Sequence, residues 1–277
     1  MSTIVITGAS SGIGRAAAVA LAERGHEVVV VGRDPGRTTK TAALVGGEAF
    51  LADFDRLDDV HRLARELRAR YSSIDVLANN AGGLVPRRGT SADGHERTLQ
   101  HNYLAPFLLT NLLLPCLPDG ARVINTASVL NRFGRIHLDD LDGRRRPYGG
   151  GWPAYCAAKL ATILFTRQLA VRTAVAAYAF HPGFVATSFG QQSRLSGMLL
   201  GVASAQQISP EQGAAPLIEL ASGPTLMATS GTYFDGLYPN GAVARSANNE
   251  ALASRLWEAS ASLVGMGQTT PEQPGTS

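Results

Sequence analysis

The chain has 277 residues, of which 45% are hydrophobic and 17% charged, so it is long and apolar enough for one large folded domain and is not expected to be disordered. Its net charge of +3 could suit an acidic partner, but the basic residues are scattered. No repeat, zinc-finger spacing or interleaved aromatic pattern supports nucleic-acid binding. Two cysteines, Cys116 and Cys156, cannot form a disulfide framework or a zinc site, and we predict no metal.

The start of the chain and its apolar stretches bear on location. Residues 1–7 lack the charged and long apolar regions of a secretory signal, and no stretch supplies the ~20 continuous apolar residues of a membrane helix. We therefore expect a cytoplasmic protein without a membrane span. Of the 25 basic residues, only Lys40 and Lys159 are lysines. A chain that uses arginine almost everywhere draws attention to the positions where it keeps lysine.

Apolar β-branched runs alternate along the chain with segments of helical periodicity. The predicted strands are residues 3–7, 27–31, 49–51, 75–79, 122–126, 174–180 and 231–234. The predicted helices are residues 13–24, 38–45, 57–71, 95–114, 153–171, 210–221 and 250–263. Gly25 is expected to end the first helix as a C-terminal cap. This alternation predicts a single-domain, Rossmann-type α/β fold, a doubly wound parallel sheet with helices on both faces.

A glycine-rich turn joins the first strand to the first helix, with the spacing G-x-x-x-G-x-G. Glycine allows a tight backbone and the close approach of a phosphate, and the helix N-terminus offers free N–H groups and the positive end of a dipole. The turn therefore predicts a dinucleotide site, although its spacing departs from the G-x-G-x-x-G fingerprint and a plain strand-to-helix turn is the alternative. The cofactor-binding residues predicted in this turn are Gly8, Ser10, Ser11, Gly12, Ile13 and Gly14.

The end of the second strand indicates which dinucleotide is bound. A site that selects NAD usually places Asp or Glu there to accept a hydrogen bond from the ribose 2′-OH. Gly32 occupies that position and Arg33 follows, which suits a 2′-phosphate. The sequence therefore favours NADP(H) over NAD(H), the alternative being that Arg33 is an ordinary surface cation.

A tyrosine and a lysine, Tyr155 and Lys159, are four residues apart on a predicted helix and so share one face. A phenol titrates near pH 10, and a nearby ammonium favours its ionised form. Ser128 follows the fifth strand, at the carboxyl edge where α/β folds hold ligands, and Asn102 lies in the preceding helical segment. By themselves Ser128 could be a helix cap and Asn102 a solvated helix residue, but the combination favours a catalytic group.

These motifs occur in the order found in the short-chain dehydrogenase/reductases, and the sequence resembles that family over residues 3 to about 264. The motifs are the glycine turn, the Asn79-Asn-Ala-Gly82 segment, Ser128, the Tyr155-x-x-x-Lys159 pair and Pro182-Gly183. Segments 154–161, 164–169, 181–183, 230–234 and 255–257 resemble the retinol-dehydrogenase-like and WW-domain-oxidoreductase-like branch. That branch often carries an insertion before the tyrosine, which would be residues 130–152 here.

The resemblance implies roles for individual residues. Tyr155 would give a proton to a carbonyl, or take one in the oxidative direction, and Ser128 would hydrogen-bond the substrate oxygen. Lys159 would lower the pKa of Tyr155 and hold the nicotinamide ribose, while Asn102 would position a water in a proton relay. Further cofactor contacts would come from Asp53, Asn80, Ala81, Gly82, Pro182, Val185 and Thr187, besides Tyr155 and Lys159.

The resemblance also bears on organisation, substrate and partners. We expect one catalytic domain over residues 1–267, with a substrate lid at 184–207, and a flexible tail at 268–277. The lid contains Phe189, Leu195, Met198, Leu199 and Leu200, which favour an apolar ketone or aldehyde but could equally be packing residues. A homodimer or homotetramer through residues 95–114 and 153–171 is plausible in this family, as is a monomer.

The sequence favours an NADP-dependent carbonyl reductase whose reaction is reversible, and three other functions are the alternatives. A redox sensor that binds NADP without turnover is disfavoured because Ser128, Tyr155, Lys159 and Asn102 are all retained. A nucleotide-sugar epimerase or dehydratase shares the Tyr and Lys pair but resembles longer chains. An NAD-dependent alcohol dehydrogenase remains if Arg33 does not meet a phosphate.

Overall fold

The computed structural model describes residues 1–185, 208–223 and 228–266. Its strands are β1 (Thr3–Thr7), β2 (Glu27–Gly32), β3 (Glu48–Leu51), β4 (Val76–Asn79), β5 (Arg122–Thr126), β6 (Ala176–His181), β7 (Tyr233–Asp235) and β8 (Tyr238–Pro239). Its longer helices are α1 (Gly12–Glu23), α2 (Pro35–Val45), α3 (Leu57–Arg70), α4 (Ala105–Leu113), α5 (Trp152–Arg172), α6 (Pro210–Ser222) and α7 (Glu250–Leu263).

The strands form one sheet in the order β3-β2-β1-β4-β5-β6-β7-β8. Every neighbouring pair is parallel except β7 and β8. The strand order reverses between β1 and β4, which is where open α/β sheets hold ligands beyond the carboxyl ends of their strands. The prediction of a doubly wound parallel sheet is confirmed. The antiparallel strand β8 was not predicted, because two residues are too few to show a strand pattern.

The central strands β1, β2, β4 and β6 are buried on both faces of the sheet, so they are mainly apolar rather than alternating. Ile4 and Ile6 of β1 belong to one apolar core, with α1 and α6, while Val5 points into the other. Successive strand side chains point to opposite faces, so one short run of residues serves both cores. On the Val5 side, α3, α4, α5 and α7 cover the sheet.

The first helix ends as the sequence predicted. Gly25 has φ +84° and donates its N–H to Ala22, while His26 donates to Leu21. This pair of bonds is a Schellman motif, in which a left-handed glycine satisfies carbonyls that the helix leaves without donors. The motif turns the chain directly into β2, so the spacing between the glycine turn and the end of β2 is set locally.

The helix predicted over residues 95–114 is not uniform. A short α-helical turn at Arg97–Leu99 leads into a π-helical turn at Gln100–Leu104, which precedes α4. Pro106 explains the break, because proline has no N–H to donate to the carbonyl of Asn102 four residues earlier. A 3-10 turn at Leu114–Cys116 follows α4. Periodicity predicted the helix but not the widened turn.

The insertion before α5 forms a loop with acidic and basic residues that pair with one another. It begins as a 3-10 turn at Val129–Phe133 and ends as one at Gly149–Gly151. The arginines at 144–146 make ion pairs with the aspartates at 139, 140 and 142 of the same loop. Arg88 donates from outside the loop to the carbonyls of Gly143 and Arg146. These contacts link the two halves of the loop to each other and to Arg88.

Two other expectations concern segments that the structure describes in part or not at all. Only residues 184, 185 and 208 onward are described around the expected lid, and the tail at 268–277 lies outside the described residues. The single-domain boundaries at 1–267 stay a prediction. Within the described ranges, no helix is both long enough and apolar enough to cross a membrane.

Packing on the Val5 side of the sheet predicts the effect of a cavity. Leu63 of α3 is completely buried, whereas Leu44 of α2 is 56% exposed. Leu63→Ala should lower the free energy of unfolding by about 2–5 kcal/mol, because the variant loses apolar burial and leaves a cavity. Leu44→Ala is the control and should change it by less than about 0.5 kcal/mol. Urea denaturation measures both, and equal effects would contradict the burial assigned to Leu63.

Candidate active site

The glycine turn leaves no room for side chains. Gly8 has φ +67°, and a Cβ there would lie 2.8 Å from the Cα of Ala81. A Cβ on Gly14 would lie 2.5 Å from both the carbonyl oxygen of Gly8 and Nδ2 of Asn80. Glycine is therefore required at both positions, one for conformation and both for space.

The start of α1 has the donors that a diphosphate needs. Ser11 is the N-cap residue, and its side chain makes no capping hydrogen bond to the helix. The backbone N–H groups of the first turn consequently remain as donors at the positive end of the helix dipole. A close backbone, free N–H groups and the hydroxyls of Ser10 and Ser11 together fit the diphosphate of a dinucleotide.

Asn80, directly after β4, forms hydrogen bonds to the last residues of β1 and β5. Its side-chain Nδ2 donates to the carbonyl of Thr7 at 3.0 Å, and its Oδ1 accepts from the hydroxyl of Thr126 at 3.3 Å. The hydroxyl of Thr7 accepts in turn from the N–H groups of Asn80 and Ala81, both at 3.0 Å. The sequence reading missed Thr7 and Thr126, although each is the last residue of its strand. Because ligands bind at the carboxyl ends of strands in such sheets, this position in the strand could have identified both threonines.

The two residues predicted at the adenosine end are adjacent. Arg33 follows β2 and Asp53 follows β3, and Nη1 of Arg33 lies 3.8 Å from Oδ1 of Asp53. The Arg33 side chain is 61% exposed, so it can still reach a ligand. A Cβ at Gly32 would clash with the hydroxyl oxygen of Thr38. Packing of α2 on β2 therefore disfavours an acidic side chain at position 32.

Next to this pair lies a half-buried network of charged side chains and a histidine. Oδ1 of Asp55 lies 2.9 Å from Nε2 of His101, and Arg97 pairs with the same carboxylate. Asp53, Asp55 and His101 place ligand-type atoms within 4.8 Å of one another. Burial lowers the pKa of His101 despite its acidic neighbours. Because Arg97 already neutralises Asp55, the cluster is accounted for as an ion-pair network.

Ser128 and Tyr155 are brought together by β5 and α5. Both side chains are buried and joined by a side-chain hydrogen bond. The Ser128 hydroxyl also accepts from the N–H of Leu130, which caps the 3-10 turn after β5. Burial raises the pKa of Tyr155 above its ordinary value, and the hydrogen bond to Ser128 opposes that effect. The phenol is therefore held in its protonated form.

Lys159 lies one helical turn beyond Tyr155, on the same face of α5. Its Nζ donates to the carbonyl of Thr126 at 2.7 Å and lies 5.4 Å from the centroid of the Tyr155 ring. The residue is only 4% exposed, and burial lowers the pKa of Lys159 to about 7. The expected lowering of the pKa of Tyr155 by Lys159 stays a prediction.

Asn102 holds the loop after β4 next to the lysine. Its Oδ1 accepts from the N–H of Gly83 at 2.9 Å, and its Nδ2 donates to the Gly83 carbonyl at 2.8 Å. A Cβ on Gly82 would lie 2.5 Å from Oδ1 of Asn102 and 3.6 Å from Nζ of Lys159. The Asn102 carbonyl, in the π-helical turn, has no α-helical donor because of Pro106. It accepts a long bond, 3.4 Å, from the hydroxyl of Thr162.

The remaining predicted cofactor residues follow β6. Val185 forms a parallel bridge with Ile208, and its side chain packs where a Cβ on Gly213 would clash with it. Pro182 comes immediately after the strand. Thr187 lies outside the described residues, as do the apolar residues expected in the lid. The structure thus brings Ser128, Tyr155, Lys159 and Asn102 together beside the glycine turn, while Arg33 and Asp53 lie at the ends of β2 and β3.

A parallel sheet with a glycine turn at its carboxyl edge defines a dinucleotide-binding α/β protein. A family model described as short chain dehydrogenase matches residues 2–140. The chain belongs to the short-chain dehydrogenase/reductase family, in its retinol-dehydrogenase-like branch, so it is an oxidoreductase that uses a nicotinamide cofactor and a small-molecule substrate.

Individual relatives match over nearly the whole chain. It is 43% identical over 278 residues to "Putative daunorubicin C-13 ketoreductase DnrU" of Streptomyces sp. (strain C5), covering 95% of this chain and 92% of that protein. It is 36% identical over 291 residues to human retinol dehydrogenase 13, covering 98% and 87%. A crystal structure of an uncharacterized protein from Mycobacterium paratuberculosis shares 33% identity and a TM-score of 0.79, covering 96% and 94%.

The burial of Lys159 predicts a pH-dependent cost in stability. Because its pKa falls from 10.5 to about 7 on folding, the unfolded chain binds more protons between these values, and the lysine's contribution to stability improves as pH rises. Lys159→Met should therefore raise the free energy of unfolding at pH 7 and reduce its increase between pH 7 and 9. Urea denaturation at several pH values measures this.

The matched control is the exposed lysine, Lys40. Lys40→Met should leave the pH dependence of the free energy of unfolding as it is in the unaltered chain. If Lys159→Met also leaves that dependence unchanged, Lys159 does not carry the lowered pKa.

Proposed function

We propose that this oxidoreductase is an NADP-dependent carbonyl reductase that acts reversibly on an apolar ketone or aldehyde. The observation that carries the proposal is the buried cluster of Ser128, Tyr155 and Lys159 next to the glycine turn. A hydroxyl, and a phenol one helical turn away from an amine, are the groups needed to bind a carbonyl oxygen and protonate it.

In the direction of reduction, the hydroxyls of Ser128 and Tyr155 donate to the carbonyl oxygen and stabilise the negative charge that develops on it. Tyr155 then transfers its proton to that oxygen. The hydride that the carbonyl carbon gains would come from the reduced nicotinamide when the cofactor is bound. The raised pKa of Tyr155 keeps the phenol protonated before the carbonyl is reduced. As the carbonyl oxygen gains negative charge, it becomes basic enough to take the phenol's proton.

Lys159 supports the tyrosine in two ways. In its cationic form, Lys159 stabilises the phenolate that Tyr155 becomes, because its Nζ lies 5.4 Å from the centroid of the Tyr155 ring. A pKa of about 7 also allows the amine to exchange its proton near neutral pH. The carbonyl of Asn102, which lacks an α-helical donor, offers an acceptor for a water that connects this amine with solvent. The same amine is the donor that would hold the nicotinamide ribose.

The preference for NADP over NAD rests on the end of β2. Thr38 leaves no space for an acidic side chain at Gly32, so a carboxylate cannot take the ribose 2′-OH from that position. Arg33 is exposed, and its nearest carboxylate, Asp53, is 3.8 Å away. A guanidinium in a loose surface ion pair can turn to a 2′-phosphate and bind it through two N–H groups.

The class of substrate rests on the relatives and on the entrance to the site. One relative is named for ketone reduction on daunorubicin and others for retinol, both substrates with large apolar parts. Phe184, directly after the Pro182-Gly183 turn, is 43% exposed and its ring packs edge-on against His181. An exposed aromatic ring at this place suits an apolar carbonyl compound. Cytoplasmic location and self-association stay predictions.

Removal of the proton donor tests the proposed chemistry. Tyr155→Phe and Lys159→Ala should abolish NADPH oxidation with a panel of apolar ketones and aldehydes while the far-UV circular dichroism is retained. Lys159→Arg should lower it sharply, because a planar guanidinium cannot replace a compact ammonium. Tyr238→Phe, at an 80% exposed tyrosine, is the control and should keep full activity. Unchanged turnover in Tyr155→Phe would reject the mechanism.

The choice of dinucleotide is tested separately at Arg33. Arg33→Ala should raise the KM for NADPH about tenfold or more, the effect of losing hydrogen bonds to a charged group, with little change for NADH. Arg68→Ala, another exposed arginine, on α3, is the control. Activity of the unaltered chain with NADH alone would overturn the preference for NADP without affecting the roles of Tyr155 and Lys159.

A further inference from the structure

A cavity of about 660 Å³ lies between α5 and the insertion loop, and Tyr155 and Lys159 are not among its described lining residues. Its volume is within the usual range for pockets that hold small molecules. Much of its wall is apolar where α5 and the insertion loop form it. The apolar lining residues include Ile136, Leu141, Trp152 and Ala157, and the acidic ones are Glu96, Asp140 and Asp142. The loop that closes it is fastened by the ion pairs between its own arginines and aspartates. The cavity is therefore built by the insertion.

A second, more open cleft of about 840 Å³ adjoins the first, and Arg135 lines both. Arg132 and Arg245 complete a group of three arginines in this cleft, and no acidic residue is among its described lining. In the described part of the chain, none of the three forms an ion pair with a carboxylate. Elsewhere in the insertion loop, the arginines at 144–146 all have aspartate partners. The cleft thus concentrates positive charge that the described protein does not neutralise.

Phe133 marks the boundary between the two spaces. Its ring is 74% exposed and lines the apolar cavity, while its neighbours Arg132 and Gly134 line the basic cleft. An apolar space and an uncompensated cationic rim therefore meet along four consecutive residues, 132–135. A ligand that spans them needs an apolar body joined to an anionic group.

We propose that the cavity and the cleft together form a binding site for a monomeric amphipathic carboxylate. Its alkyl body would lie in the cavity between α5 and the insertion loop, and its carboxylate would bind Arg135 and the neighbouring arginines of the cleft. Guanidinium groups bind carboxylates through paired N–H donors, and the cavity wall removes alkyl surface from water. This site is separate from the carbonyl site, because neither Ser128, Tyr155 nor Lys159 is part of the described lining of either space.

Trp152 provides a direct measurement, because it lines the cavity whereas Trp257 packs against Phe107 and Phe165. In a Trp257→Phe background, titration of the full-length chain with sodium dodecanoate should change the Trp152 fluorescence to saturation. Dodecanol, which lacks the charge, should bind at least about tenfold more weakly, as expected when a hydrogen bond between charged groups is lost. Equal binding of dodecanol would overturn the role of the arginines.

Variants divide the site into its two parts. Arg135→Gln should weaken dodecanoate binding about tenfold, because it removes the guanidinium that the two spaces share. Ala157→Phe should abolish binding by filling the cavity, and Arg68→Gln is the control that should bind as the background chain does. Arg135 is exposed, so its variant keeps the test valid even if the larger side chain at 157 prevents folding. Unchanged binding in Arg135→Gln would reject the proposal.

Three further measurements distinguish this site from the carbonyl site and from a membrane surface. A Tyr155→Phe variant, inactive under the proposed function, should still bind dodecanoate, so failure of one proposal does not imply failure of the other. If dodecanoate competes with the carbonyl substrate equally in the parent and Ala157→Phe chains, dodecanoate binds in the carbonyl site. That result would overturn the proposal. Binding to anionic phosphatidylglycerol vesicles without binding of monomeric dodecanoate would overturn it in favour of a membrane surface.

Discussion

The hydrogen bonds that join the carboxyl ends of β1, β4 and β5 determine where every other part of the site lies. Asn80 bonds to the Thr7 carbonyl and the Thr126 hydroxyl, and Lys159 bonds to the Thr126 carbonyl. The glycine turn begins at the end of β1, and Ser128 follows the end of β5. Because these strands are bonded to one another at their ends, the glycine turn, Ser128 and Lys159 have a fixed separation.

Burial changes the pKa values of polar groups in this site and also lowers the free energy of unfolding. Lys159 is almost completely buried and has a carbonyl partner rather than a carboxylate, so its charged form is disfavoured and its pKa falls to about 7. A carboxylate partner would restore the ordinary pKa and compete with the phenolate of Tyr155. Below the site, Asn79 and Asn125 bond to each other, which satisfies part of the polar content of the buried strand ends. Function and stability are opposed at the lysine.

Several parts of this arrangement could be predicted because they depend on neighbours in sequence. The strand and helix periodicities, the glycine cap at Gly25 and the Tyr155–Lys159 face all follow from spacings of a few residues. The π-helical turn could not be predicted from periodicity, since a proline one turn later alters the hydrogen bonding without changing the apolar pattern. The short strand β8 was missed because its pairing with β7, rather than its composition, makes it a strand.

The local chemistry of the motifs was readable from the chain itself: a turn that admits a phosphate, a phenol and an amine on one helical face, and an arginine directly after the position where a carboxylate would select NAD. Distances and protonation were not readable, because they depend on residues far apart in sequence. Thr126 meets Lys159, Thr38 closes the space beside Gly32, and burial sets the pKa values of Tyr155 and Lys159. Only packing of the sheet and helices creates the low-dielectric surroundings in which those groups differ from their behaviour in water.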